Sequence, residues 1–553
     1  MTFKQITPRF HVAGQLSEAD VDLAAAQGFR VIICNRPDDE EPGQLSAATI
    51  AAAAGRHGMA FVHVPVRLEL SDASAAKMEQ ALKDADGPVL AYCRLGSRAA
   101  RLGSLALAGD LGPDRLSAAL KAAGYEAGDL MDRLSARFAE KAGTARRFDV
   151  VVIGGGAAGI ATAASLRRRR SDLQIAIVDP AETHNYQPGW TMVGGGIFTA
   201  ESTTRPMADV IPRGVTWIAA AAERFRPEEN IVILADGRRL EYAVLVLATG
   251  LVLDWQAIPG LSEALGKNGV TSNYRRDLAP YTASLVKQMR KGRAIFTQPP
   301  MPIKCAGAPQ KALYLSCDAW RRAGVLKDVS VSFHTATPGL FGVAAYVPAL
   351  MTYIERYGVD LNLGSRLVAL DGASRTATFE KAGPDGAVQR RVERYDMIHV
   401  CPPQVAPQVI KDSPFAGADG FVEVDPATLR ALRYPNVFAL GDVAGTTNAK
   451  TAAAARKQAP VVAVNVLAAL QGTGAAAAYD GYGSCPLTVE RGRIVLAEFG
   501  YGGTLLPTFP KWLLDGTRPS RLAWILKAKL LPAIYWNAML KGKEWLARPR
   551  RHA

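Results

Sequence analysis

The stretch FDVVVIGGGAAGIATAASLRRRR, residues 148–170, constrains this chain more than any other. Phe148 to Ile153 has the composition of a parallel strand buried on both faces. Gly154, Gly156 and Gly159 follow in the spacing G-x-G-x-x-G, and an alanine-rich helix is expected behind them. Such glycines permit a tight turn, close approach of a pyrophosphate, and close helix–strand packing. The helix N-terminus adds oriented N–H groups and partial positive charge. A second apolar run, LQIAIVD, ends in Asp179, twenty residues past Gly159, where a carboxylate meets a ribose hydroxyl. The five features together predict a dinucleotide site rather than an empty turn.

Two later stretches narrow the dinucleotide. LVLATGLVLDW ends a strand at Thr249-Gly250, and YPNVFALGDVAG ends another at Gly441-Asp442. They resemble the later signatures of the two-dinucleotide-domain flavoproteins, and that resemblance implies FAD, with Asp442 reaching the ribityl chain. About 190 residues lie between them, enough for an inserted second domain. Its first strand, GRAIFTQP, runs into PMPIKCAGAPQKALYLS with no second glycine fingerprint. That argues against a nicotinamide donor and for redox chemistry at Cys305.

Four blocks in order, THNYQPGWTMVGGG, PIKCAGAPQKALYLS, YPNVFALGDVAGTTNAKTAAAARKQ and YDGYGSCPLTVERGRIVLAEF, resemble the sulfide:quinone oxidoreductases over about residues 148–545. The resemblance implies a cysteine beside the flavin, Cys305, that handles sulfide sulfur, and electrons passed through FAD to quinone. A thiolate is the nucleophile such chemistry needs, and Lys304 is read as a cation beside it. The family's second cysteine is expected after the Gly-Asp pair, where this chain has Val443. Cys401, before Pro402-Pro403, is therefore the candidate substitute, while Cys34, Cys317 and Cys485 are read as packing residues. Lys450, Thr451 and Gln458 match the block where a helix start faces the flavin, so Lys450 joins the cofactor residues.

The first ~140 residues read as a separate α/β unit: strand-like FRVIICNRP, AFVHVPV and GPVLAYC alternate with helical AAKMEQALKDAD and SRAARLGSLALAG. Its chemical feature is Cys93-Arg94-Leu95-Gly96-Ser97-Arg98. A thiol at a strand end, followed by a loop and an arginine, makes an anion nest that favours the thiolate. Together with PRFHVAGQLSEADVDLAAAQGFRVIICNRPDDEEPGQ, it resembles the phosphatase-like domain of beta-lactamase-hydrolase-like proteins, over about residues 3–135. Four residues separate Cys93 from Arg98, the count common in rhodanese-type sulfurtransferases; tyrosine phosphatases have five. The expected activity is sulfur transfer through a Cys93 persulfide. Arg98 is expected to hold an oxyanion bidentately, with phosphatase-like hydrolysis as the alternative. Asp38 and Asp39 are read as an exposed acidic turn.

The net charge of +14 is concentrated at the end of the chain. From Lys511 to Ala553 there are ten Lys/Arg against two Asp/Glu, and four of the eight tryptophans. SRLAWILKAKLLPAIYWNAMLKGKEWLARPRR reads as two short basic amphipathic helices broken at Pro532. They suit a membrane surface better than nucleic acid. No apolar run reaches the ~18–20 residues of a span, and the first residues carry no signal-peptide pattern. The scattered six cysteines predict neither a metal site nor a disulfide framework.

The expected architecture is α/β. Residues 1–139 form a phosphatase-like domain and 140–147 a linker. Then follows a Rossmann-type flavoprotein: an FAD domain at 148–280 and 401–477, a second dinucleotide-like domain at 281–400, and a docking region at 478–553. The expected partners are sulfide or a related sulfur species, quinone, a sulfur acceptor such as glutathione, and the cytoplasmic face of a bacterial inner membrane. An NAD(P)H:quinone-type oxidoreductase fused to a tyrosine-phosphatase-like domain, or a redox-sensing flavoprotein without turnover, are the alternatives.

Overall fold

The computed structural model describes residues 3–551 other than 68, 110, 143–144 and 384–386. Its contacts divide the chain into two units: 1–146 with 231–240, and 147–230 with 241–553.

In the first unit, five strands lie in the order Lys4–Thr7, Phe10–Ala13, Val89–Tyr92, Val31–Cys34, Ala60–His63. Only the first pair is antiparallel. Val31–Cys34 and Val89–Tyr92 are buried at every position, as all-apolar sequences require. Their side chains alternate between two cores. Ile32, Cys34, Leu90 and Tyr92 face the helices Glu18–Ala26 and Ala47–Arg56. Val31, Ile33, Val89 and Ala91 face Asp72–Asp84, Ser97–Leu107 and Pro113–Ala122. The central strand ends at Cys93, so the sheet aims the sulfur at the loop before Ser97–Leu107.

The second unit holds two sheets built around parallel strands. One has Val215–Ile218, Ile175–Val178, Arg146–Ile153 and Arg239–Leu247 as neighbours in that order, with Val437–Ala439 pairing the last. The other runs Val270–Thr271, Met397–His399, Gly292–Gln298, Val329–Thr335, Asp360–Leu363. An antiparallel three-stranded sheet, Ser365–Asp371, Thr376–Ala382 and Val388–Arg394, is inserted after it. The second sheet thus begins at Val270, ahead of the boundary read at 280. The segment read as a linker is shorter than expected: the helix Met131–Ala142 runs into it and Arg146–Ile153 begins inside it, with 143–144 outside the described residues.

The C-terminal region differs most from the sequence reading. It opens with a hairpin, Gly483–Glu490 and Arg493–Phe499. One face packs Cys485, Leu487, Val489, Val495 and Ala497 into the core of the helix Ala308–Arg322. The other face packs Ile494 and Leu496 against Leu514 and Ala523. The helical run beyond it is not broken at Pro532. Arg521–Ile525 passes through a π-helical turn, Leu526–Leu530, into Leu531–Asn537. Pro532 sits in the first turn of that last segment, where a missing N–H costs little.

Candidate active site

The first sheet ends at a cavity of about 750 Å³. Gly154, Gly156, Asp179, Thr249, Gly250, Gly441, Asp442 and Lys450 all line it. Gly154 has φ +108, and an added Cβ there would run into the Ala248 carbonyl. At Gly156 nothing stands within 4 Å of an added Cβ, so the backbone is open to a ligand. Gly159 does not line the cavity; it packs against the Gly154 carbonyl and brings the helix Ala157–Arg169 onto the sheet. Asp179 accepts from Gly155 N at 2.6 Å and Ala181 N at 2.8 Å, which holds its carboxylate at the rim. Gln458 accepts from Gly441 N at 2.8 Å and fixes the Gly-Asp turn.

Several cavity-lining polar atoms are buried without a protein partner among the described residues: Trp190 Nε1, Thr191 Oγ1, Thr249 Oγ1 and the Asn273 side-chain amide. Buried polar groups are expected to be paired, so these point to a polar ligand. A glycine cradle at a helix start, a rim carboxylate and unpaired donors together fit FAD. Asp442 is half-buried, and desolvation pushes its carboxyl up, with Lys304 and Lys450 opposing the shift. Lys450 is not an exposed cation: it is buried, and its Nζ donates to Ala444 O at 2.9 Å.

At the edge of this cavity stands a pair of thiols. Cys305 follows the strand Gly292–Gln298, held by its N–H on Lys450 O at 2.8 Å and its carbonyl on Ala308 N at 2.7 Å. Its φ is +54, a left-handed value uncommon for a non-glycine residue and typical of residues held for function. Its Sγ lies 3.4 Å from Cys485 Sγ and accepts from Lys311 Nζ at 3.1 Å. Both cysteines are free thiols. Gly307 makes the approach possible, because an added Cβ would stand 2.5 Å from Cys485 Sγ.

The pair is electrically asymmetric. A hydrogen bond from the Cys485 thiol holds Cys305 well below the usual thiol range, against burial, and Lys311 helps. The same bond, with burial, pushes Cys485 well up. The arrangement thus favours the charge on Cys305 and the proton on Cys485. Burial pulls Lys311 down, but the two sulfurs more than offset it and its net shift is upward. A second buried ammonium, Lys527, donates to Pro188 O at 2.9 Å. Burial, then repulsion from Lys311, pulls it down to about 7, with both thiols opposing.

These positions correct three expectations. Cys485 is packed in the core, but it also stands as the partner of Cys305. Val443 leaves no thiol after the Gly-Asp pair, and the thiol beside Cys305 comes from the hairpin instead. Cys401 is not that thiol: burial pushes it up to about 12, and its sulfur is held by Tyr274 and by Gln404 Nε2 at 3.6 Å. Lys304 turns away to Gln187 Oε1 at 2.7 Å, and the cation on the thiolate is Lys311. The sequence carried a signal for Cys485, since its block was among the four that resemble the family in order, but its place in a strand reads as simple burial.

In the first unit, Cys93 is fully buried and accepts from Gly96 N at 3.1 Å. Gly96 has φ +87 and begins the helix Ser97–Leu107. Arg98 donates from Nη1 to Val66 O at 2.6 Å and from Nη2 to Glu40 Oε2 at 2.8 Å. Arg36 bonds Glu40 and Glu41 at 2.8 and 2.6 Å, and Arg94 also pairs with Glu41. Asp38 accepts from Ala47 N at 2.7 Å at a helix start, so it does not serve as an acid over the cradle.

Residues 2–110 match the family model of the beta-lactamase hydrolase-like protein, phosphatase-like domain, and residues 148–286 that of the pyridine nucleotide-disulphide oxidoreductases. The mitochondrial sulfide:quinone oxidoreductase of Dictyostelium discoideum is 42% identical over 402 residues, 72% of this chain and 87% of that protein. The beta-lactamase hydrolase-like protein of Agrobacterium fabrum is 40% identical over 99 residues, 18% of this chain and 23% of that protein. Among solved structures, the sulfide:quinone oxidoreductase of Aquifex aeolicus superposes with a TM-score of 0.59 at 20% identity, covering 72% of this chain and 92% of that one, which shows a shared fold. The chain is an FAD-dependent member of the sulfide:quinone oxidoreductase family, carrying a beta-lactamase-hydrolase-like phosphatase-like domain ahead of its oxidoreductase fold.

Proposed function

We propose that the second unit oxidises sulfide to sulfane sulfur and passes the electrons through FAD to a quinone, using Cys305 and Cys485 as a redox pair. The observation that carries this is the 3.4 Å pair with Lys311 at 3.1 Å, at the cavity edge. In the oxidised pair, hydrosulfide attacks Cys485 Sγ. The S–S bond breaks and its electrons leave on Cys305, giving a Cys485 persulfide and a Cys305 thiolate. Cys305 is the better leaving group because Lys311, at 3.1 Å from its sulfur, stabilises its charge. An acceptor thiolate such as glutathione's then takes the outer sulfur and releases Cys485 as a thiolate. Reclosure of the disulfide gives up two electrons, and bound FAD supplies the relay from the dithiol to the quinone.

An anaerobic sulfide titration followed through the flavin's absorbance tests this. Sulfide is expected to bleach the flavin in the wild type and in Cys401→Ser, and to fail in both Cys305→Ser and Cys485→Ser. A Cys485→Ser protein bleached at the wild-type rate would sink the pair. Bleaching by NADH but not by sulfide would favour an NAD(P)H:quinone oxidoreductase.

For the first unit, the Cys93 sulfur receiving the Gly96 N–H supports sulfur transfer through a Cys93 persulfide. For the C-terminal region, exposed Trp512, Leu522, Ile525 and Leu530 beside Arg521 and Lys529 support peripheral attachment to a membrane, read from the sequence as the cytoplasmic face of a bacterial inner membrane. No helix among the described residues is long and apolar enough to cross one.

A further inference from the structure

An arginine that recognises an oxyanion does so with a free fork: two N–H groups aimed at two oxygens. Around Cys93 each arginine is already paired with a carboxylate of the protein. Both terminal nitrogens of Arg98 are engaged by the protein, one on Val66 O and one on Glu40. Arg36 is engaged three ways, by Nε on Glu40, Nη1 on Gln15 Oε1 at 2.9 Å and Nη2 on Glu41. Arg94 is paired with Glu41. Glu40 is shared between Arg36 and Arg98, and the hydrogen bond from Arg98 is the main reason its carboxyl lies at about 2, so it is ionised at any working pH. The side chain of Glu40 is only 21% exposed and that of Arg98 17%, and Arg98 lies close enough to the Cys93 sulfur to interact with it. The cradle thus already holds an internal carboxylate on its arginine.

We propose that the Cys93 site takes its sulfur from a terminal persulfide, R–S–SH, and rejects oxyanion donors such as thiosulfate, because Glu40 occupies the arginine that an oxyanion would need. This rests on the sulfur-transfer reading of the first unit and names its donor class. The Cys93 thiolate attacks the outer sulfur of R–S–SH. That S–S bond breaks, its electron pair leaves on R–S⁻, and Cys93 becomes the persulfide with no net oxidation. The transferred sulfur carries no oxygens and needs no arginine fork; the Gly96 N–H and the nearby charge of Arg98 serve it. Thiosulfate brings a sulfonate to Arg98, where Glu40 already stands, and like charges at such range are strongly disfavoured. Bidentate capture by Arg98, expected from the sequence, is therefore not the use the structure makes of it.

The test uses the full chain with Cys305→Ser, which stops sulfur arriving from the second unit. Glutathione persulfide or thiosulfate is mixed with it anaerobically, and the gain of one sulfur on the Cys93 peptide is followed by mass. The persulfide is expected to mark Cys93 at least about a hundredfold faster. Adding Glu40→Gln is expected to raise the thiosulfate rate about tenfold or more and narrow the gap. Comparable wild-type rates for the two donors, or an unchanged ratio in a folded Glu40→Gln protein, would overturn the proposal. If that variant does not fold, the wild-type ratio alone decides. If neither donor marks Cys93, the sulfur-transfer reading itself fails, and hydrolysis of 4-nitrophenyl phosphate would then assign the domain to phosphate chemistry.

Discussion

The chemistry of the second unit depends on which sulfur carries the charge, and two lysines add to the Cys485 hydrogen bond in setting it. Lys311 sits in the first turn of the helix Ala308–Arg322, close enough to the Cys305 sulfur to donate a hydrogen bond. An opposite charge at that range is worth about 1–3 pKa units. Lys311→Met is therefore expected to move the pH profile of Cys305 alkylation upward by about that much. A profile left in place would mean that Cys485 alone stabilises the thiolate. Lys527 acts over a different window. Because burial and Lys311 bring it down to about 7, it is a cation below that pH and neutral above it. Lys527→Met should weaken the thiolate only on the acid side of about 7 and leave the alkaline limb unchanged.

At the scale of elements, the site is made by a helix start and a hairpin meeting where a glycine leaves room. Cys305 and Cys485 lie 180 residues apart in sequence, and only the packing of Gly483–Glu490 on Ala308–Arg322 joins them. Gly307→Ala tests that geometry. Its methyl would stand 2.5 Å from Cys485 Sγ, so strand or loop must shift. Misplacement of about 1 Å costs on the order of a hundredfold in rate. The expected result is a comparable loss of sulfide-driven flavin reduction, with FAD still bound and both thiols still titratable. A near-wild-type rate would show that the pair tolerates separation. The strand, glycines and acid of residues 148–179 were legible in sequence because one short local pattern builds that part of the fold. The thiol pair was not, because Cys485 sits in a strand whose pattern reads as burial, and a long-range contact leaves no periodicity. For the same reason Glu40, in a loop of mixed charges, gave no sign that it would settle on Arg98.

At the scale of the molecule, the C-terminal run faces two ways. Its inner side closes the cofactor cavity: Tyr535 hydrogen-bonds His184 Nε2 at 2.6 Å, and Lys527 reaches Pro188. Read from the sequence as two basic amphipathic helices for lipid, the run buries Lys527 and Trp536 and exposes Leu522, Ile525 and Leu530, with Trp512 exposed ahead of it. Trp512 is 86% exposed, a large cost in water for a side chain that suits the headgroup layer. Arg521 and Lys529 flank these apolar groups, as anionic lipid would favour. A quinone with a long tail stays in the bilayer, so this exposed face and the cavity behind it would bring the two together. Leu522→Glu with Ile525→Glu is expected to reduce sedimentation with phosphatidylglycerol vesicles at least about tenfold, since each buried aliphatic side chain contributes about 1.5–3 kcal/mol. Turnover with a long-tailed quinone in vesicles should fall with it, while turnover with a short-chain, water-soluble quinone stays near wild type. Equal losses with both quinones would place the defect in the cavity rather than in docking. Full vesicle binding by the double variant would remove this face as the membrane contact.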